Sequence, residues 1–78
     1  MKQIMNWTEK RKFKLQVFWS IEERGGCVGI GELADTIGET RTALYNWANY
    51  CLENGIIKEG VDSRYEILPF GKELLGVE

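Results

Sequence analysis

Residues 30–57 read IGELADTIGETRTALYNWANYCLENGII, and this stretch decides the fold. Glu32 to Ile37 has the composition of a short helix, opened by the pair Leu33-Ala34 and closed by Ile37. Gly38 stands where the chain must bend, and glycine alone takes the left-handed backbone conformation without a steric penalty. Thr40 is a suitable N-cap for a second helix extending to about Asn54. Along it Leu44, Ala48, Cys51 and Leu52 form an apolar stripe at helical spacing. Asn54-Gly55 ends that helix, and Ile56-Ile57 turns into an extended run. Ala34 is small enough for two helix backbones to approach closely. Two short helices, a tight turn and a reversal into a strand make a helix-turn-helix, spanning about residues 31–54.

Upstream, Thr8 caps a longer helix in which Glu9 favours the positive end of the dipole. This helix is expected to run to about Arg24, where Gly25-Gly26 stops it. Phe13, Val17 and Ile21 recur every four residues and, with Phe18, predict one buried face. Leu15 and Trp19 predict a second apolar face, pointing to the C-terminal segment or another subunit. Cys27 to Ile30 suits a brief strand. Downstream, Ile56–Glu59 and Arg64–Leu68 flank Gly60-Val61-Asp62-Ser63 as a β-hairpin over about 56–68. Pro69 ends it, and Phe70 to Leu75 reads as a last short helix. The predicted order is helix-strand-helix-helix-strand-strand-helix, a mostly α member of the α+β class in one domain, 1–78.

Size and charge narrow the function. A chain of 78 residues is a small domain, and domains of this size are often helped by association. No apolar run approaches the roughly 20 residues a bilayer requires, and the N-terminus lacks the apolar centre of a secretion signal. A cytoplasmic location without membrane partners is expected. Net charge is −2 and the pI about 5.2, against a pI above ~9 for many nucleic-acid-binding domains. The distribution is uneven. Residues 1–24 carry six basic side chains, Lys2 included, against three acidic, a local +3. Residues 25–78 carry four against nine, a local −5.

Enzymatic chemistry finds no support. With no histidine, no Cys-x-x-Cys spacing and two cysteines in all, a metal site is not expected. Gly29-x-Gly31 lacks the rest of a dinucleotide fingerprint. No cofactor and no small-molecule ligand is inferred. Cys51 belongs to the apolar stripe, and the sequence leaves a Cys27–Cys51 disulfide undecided.

The segment from Leu33 to Leu75 carries Leu33-Ala34, a turn Gly38 and Thr40-Arg41. Cys51 stands four residues before Gly55-Ile56-Ile57, and Tyr65, Gly71 and Leu74 follow the hairpin in step. In this it resembles the winged helix-turn-helix regulators of the MarR, ArsR and PadR type, especially small archaeal and viral ones. The resemblance implies a recognition helix at about 40–54, a wing at 56–68, and a homodimer acting on double-stranded DNA in transcription regulation. A helical wheel centred on Leu44 turns Thr42, Asn46 and Asn49 outward, with Arg41 and Tyr45 beside them.

These residue types have suitable chemistry. Asn can pair bidentately with adenine, Arg with guanine, and Thr and Tyr can reach thymine methyls or phosphate. On the wing Ser63 and Arg64 are the candidate contacts, with Lys58 at its base. Leu15, Trp19 and Leu74 are the candidate dimer contacts. Trp47 and Tyr50 are expected to pack against the first helix, the wing or a partner. The alternative is a winged helix serving protein–protein contact without DNA binding, in which those two aromatics and the acidic balance meet a protein partner.

Overall fold

Residues 4–77 are described by a computed structural model. Lys2, counted above in the N-terminal basic excess, lies outside the described residues. The chain forms α1 (Glu9–Gly25), α2 (Ile30–Ile37), α3 (Arg41–Glu53), β1 (Ile57–Glu59), β2 (Tyr65–Ile67) and α4 (Pro69–Leu75), with a single 3₁₀ turn, Val61–Ser63, between the strands. This is the winged-helix order.

The punctuation falls where local chemistry places it. Thr8 caps α1 by accepting from the Arg11 N–H, and Thr40 caps α3 by accepting from the Ala43 N–H. Gly38 turns α2 toward α3 at φ 85°, a conformation a side chain would strain. Pro69 occupies the first position of α4, where its missing N–H costs no helical bond. The predicted strand at Cys27–Ile30 contracts to one bridge. Val28 exchanges both main-chain hydrogen bonds with Tyr65, at 2.7 and 2.8 Å, and Gly29 already serves as the N-cap of α2.

Leu15, Phe18 and Ile21 of α1 meet Leu33 and Ala34 of α2, Leu44, Trp47, Ala48 and Cys51 of α3, and Ile56, Ile57, Tyr65 and Ile67 of the hairpin in one core. Phe18 and Trp47 form a tilted aromatic pair with ring centroids 5.9 Å apart. Trp47 therefore joins the α3 stripe, whereas Leu52 is only half-buried. β1 and β2 pair antiparallel, with Ile57 opposite Ile67 and Lys58 opposite Glu66. The far edge of β2 is closed by Val28 and by the Glu22 carboxylate, which accepts the Ile67 N–H at 2.7 Å. Burial pushes the Glu22 carboxyl above the ordinary carboxylate range, and the Ile67 N–H opposes that rise.

Two expectations for α1 are corrected. Leu15, assigned to a subunit-facing stripe, is completely buried in this chain's own core, and Phe13, assigned to the core, is 54% exposed. The helix turns its Leu15–Phe18–Ile21 row inward, a spacing of three rather than four, because α2, α3 and α4 together cover that side. Trp19 and Leu74 are half-buried and pack against the core from α1 and α4, with the Lys72 ammonium 5.1 Å from the centre of the Trp19 ring.

Both cysteines are free thiols. Cys51 lies in the core, and burial pushes its thiol up to about 12. Cys27 lies beside the hairpin near Gly60, its Sγ 3.6 Å from the Glu66 carboxylate. Among the described residues no helix is long and apolar enough to cross a membrane.

Candidate nucleic-acid interface

α3 is fastened on one side and open on the other. Trp47 donates from its indole to the Arg11 carbonyl at 3.3 Å, and the Tyr50 hydroxyl donates to the Met5 carbonyl at 2.7 Å. The Arg11 guanidinium lies 4.3 Å from the Tyr50 ring centre and donates to the Asn6 carbonyl. These bonds commit both aromatics to α1 and the segment before it. Burial raises the Tyr50 phenol above its usual range, with Arg11 acting against that shift.

The opposite face is the one the wheel predicts. Arg41, Thr42, Tyr45, Asn46 and Asn49 are all exposed. The side chains of Arg41, Thr42, Asn46 and Asn49 make no hydrogen bond or ion pair among the described residues. Asparagine is a poor helix former, so helix propensity does not account for either of the two on this surface. Burial raises the Tyr65 phenol above its usual range, with the Glu59 carboxylate and then Tyr45 adding to the rise. Glu53 is exposed in the last turn of α3.

Arg41 lies over the start of α2. A Cβ added at Gly31 would come within 2.9 Å of its guanidinium, so the bare glycine gives this arginine its place. Arg64 reaches the same region from the wing, its guanidinium 2.9 Å from the Glu32 carboxylate. Its partner is thus on α2 rather than the neighbouring Asp62. Lys58 pairs across the strands with Glu66 at 3.1 Å, and that lysine together with the Cys27 thiol draws the Glu66 carboxyl below the ordinary range. Ser63 is exposed at the wing tip, where it and Asp62 both adopt left-handed backbone angles, φ 58° and 55°. All eight predicted contact residues are therefore solvent-accessible. Arg64 and Lys58 are shared with carboxylates.

Sequence reasoning missed Glu32, since nothing local links residues 32 and 64. For the cluster Lys10-Arg11-Lys12-Lys14 of α1 it weighs contact with flanking phosphates against a solvated face and favours the solvated face. Lys10, Arg11 and Lys14 line a cleft of about 390 Å³ whose other wall is Ala43, Asn46 and Trp47 of α3. The i, i+4 spacing of Lys10 and Lys14 was the available signal.

No protein-family model and no curated protein matches the chain. Among solved structures it is similar to a mutant MepR from a multidrug-resistant S. aureus clinical isolate, with a TM-score of 0.76 and 13% identity over 96% of this chain. It is also similar to IdeR of T. acidophilum, with a TM-score of 0.66 and 13% identity over 96% of this chain. The chain spans 58% and 33% of the lengths of those two proteins. At that identity the likeness shows a shared winged-helix fold.

Proposed function

We propose that the chain binds double-stranded DNA as a transcription regulator, with α3 in the major groove and the wing on the adjacent backbone. The observation that carries this is the outward face of α3, where Arg41, Thr42, Asn46 and Asn49 are exposed and unclaimed by the rest of the described chain. In the groove the two asparagines and Arg41 would read base edges, and Thr42 and Tyr45 would take phosphate or thymine methyls. Ser63, Arg64 and Lys58 would follow the backbone beside it. The fold shared with MepR and IdeR agrees with this assignment. Such a protein would work in the cytoplasm as a homodimer, its two copies of α3 set about one helical turn of DNA apart. Trp19 and Leu74 remain candidates for the subunit contact. Leu15 does not.

The test is a duplex selected from a random pool, titrated at several salt concentrations. Affinity should fall steeply with salt, and Arg41→Ala or Asn46→Ala should cost about 1–3 kcal/mol with relaxed base preference. Absence of duplex binding at low salt would refute the proposal. The competing protein-contact reading loses its main support, because Trp47 is buried and Tyr50 is bonded to the Met5 carbonyl.

A further inference from the structure

A major groove has a phosphate strand on each side, so a helix lying in it has two backbone neighbours. The wing's Arg64 reaches Glu32 at the start of α2, where the Arg41 guanidinium also lies, so the wing stands on the Arg41 side of α3. On the other side, beyond Asn46, stands the N-terminal half of α1 with the cleft described above. The lining of that cleft contains three cations and no carboxylate. Their charges are differently engaged. Lys14 is 3.3 Å from Glu39, and Arg11 is held by the Asn6 carbonyl and the Tyr50 ring. Lys10 is exposed and has no ion pair among the described residues. Thr8 and Asn46 add polar groups to the lining of the cleft.

We infer that this cleft is a second backbone site, taking a phosphodiester of the strand opposite the wing, with the Lys10 ammonium as its main charge and the Asn46 amide at the border with the bases. The inference rests on the DNA-binding reading and deepens it. The recognition helix would then sit between two phosphate contacts, the wing and α1. An ammonium placed there also explains how an acidic protein grips DNA, since the local excess of positive charge lies in the first 24 residues.

The test compares salt dependence of duplex binding for the wild type, Lys10→Gln, Lys10→Arg and Arg24→Gln. The Arg24 variant removes the same charge from the far end of α1, about 20 Å along the helix and beyond the ~10 Å screening length at 0.1 M salt. Lys10 is exposed, so its variants should fold, and an unchanged circular dichroism spectrum checks this. Expected is a fall of about 0.9 in the slope of log affinity against log salt for Lys10→Gln. The weakening should be equal on specific and unrelated duplexes, Lys10→Arg should keep the wild-type slope, and Arg24→Gln should leave it unchanged. If Lys10→Gln behaves like Arg24→Gln on a duplex that the wild type binds, the cleft is not a phosphate site and the DNA reading stands. If the wild type ignores duplex DNA at low salt, both readings fall together.

Discussion

Glu32→Gln should make the protein bind DNA more tightly and fold less stably, an opposed pair of effects that follows from one ion pair. The Arg64 guanidinium is 2.9 Å from the Glu32 carboxylate, and both side chains are 46% exposed. A pair so open to water contributes about 0.2–1 kcal/mol. To reach a phosphate, Arg64 must give up that partner, so the free protein holds back about the same energy. Removing the carboxylate releases it, which corresponds to a roughly 1.4- to 5-fold gain in affinity. Thermal or urea unfolding should show the matching loss, below about 1 kcal/mol. Fluorescence anisotropy with the selected duplex reads the first effect. The gain should vanish when Arg64→Ala is also present, because the freed group is then gone. An unchanged affinity for Glu32→Gln, or a gain that survives in the Arg64→Ala background, would show that Arg64 does not serve the DNA backbone.

Four further outcomes concern the scaffold. Glu22→Ala leaves the Ile67 N–H at the β2 edge without its acceptor and should lose about 1–3 kcal/mol in urea unfolding, whereas Glu22→Gln keeps an acceptor and should stay close to wild type. Because the Glu22 carboxyl is raised in the folded state, its contribution to stability falls as pH rises from the ordinary carboxylate value through the raised one. Any advantage of Glu22→Gln should therefore be largest near neutral pH and shrink on acidification, and a constant difference would count against the assignment. Gly71→Ala should lose about 1–3 kcal/mol, since its Cβ would stand 2.6 Å from both the Ile56 carbonyl oxygen and Ile67 Cγ1. That loss should appear in denaturant titration even though alanine favours a helix by about 1 kcal/mol over glycine. A thiol-reactive chromophore should modify Cys27 alone in the native protein and both cysteines in denaturant, because Cys51 is inaccessible and pushed up to about 12. Phe18→Ala should cost about 3–5 kcal/mol and Phe13→Ser no more than about 0.5, as calorimetry can show, in keeping with their burial and exposure.

The parts of this fold written in short-range chemistry were legible. Thr8, Gly38, Thr40, Asn54-Gly55 and Pro69 each act on a neighbouring turn or cap, and each boundary they imply stands within a residue or two. The phase of α1 was not legible. Phe13–Val17–Ile21 and Leu15–Trp19 are both valid helical stripes, and only the packing of α2, α3 and α4 selects Leu15, Phe18 and Ile21. The short strand at Cys27–Ile30 shrank because Gly29 and Ile30 were already committed to α2. The outward face of α3 was readable from one wheel, since a capped helix with a firm apolar stripe leaves little freedom to its other side. Pairings between distant segments were beyond reach. Arg64 with Glu32 and Ile67 with Glu22 join positions 32 and 45 residues apart, and no local pattern announces either.

The two hydrogen bonds from Trp47 and Tyr50 to the carbonyls of Arg11 and Met5 have a thermodynamic corollary. A probe already clamped at its final tilt loses little freedom when it docks, so most of the ordering entropy is spent when the chain folds. Calorimetry of docking should accordingly give only a modest heat-capacity decrement, without the large one that accompanies folding on contact. Association rates should respond to ionic strength rather than to a slow rearrangement. Loosening either clamp would transfer that entropic burden to the docking step and weaken the complex without touching a single base.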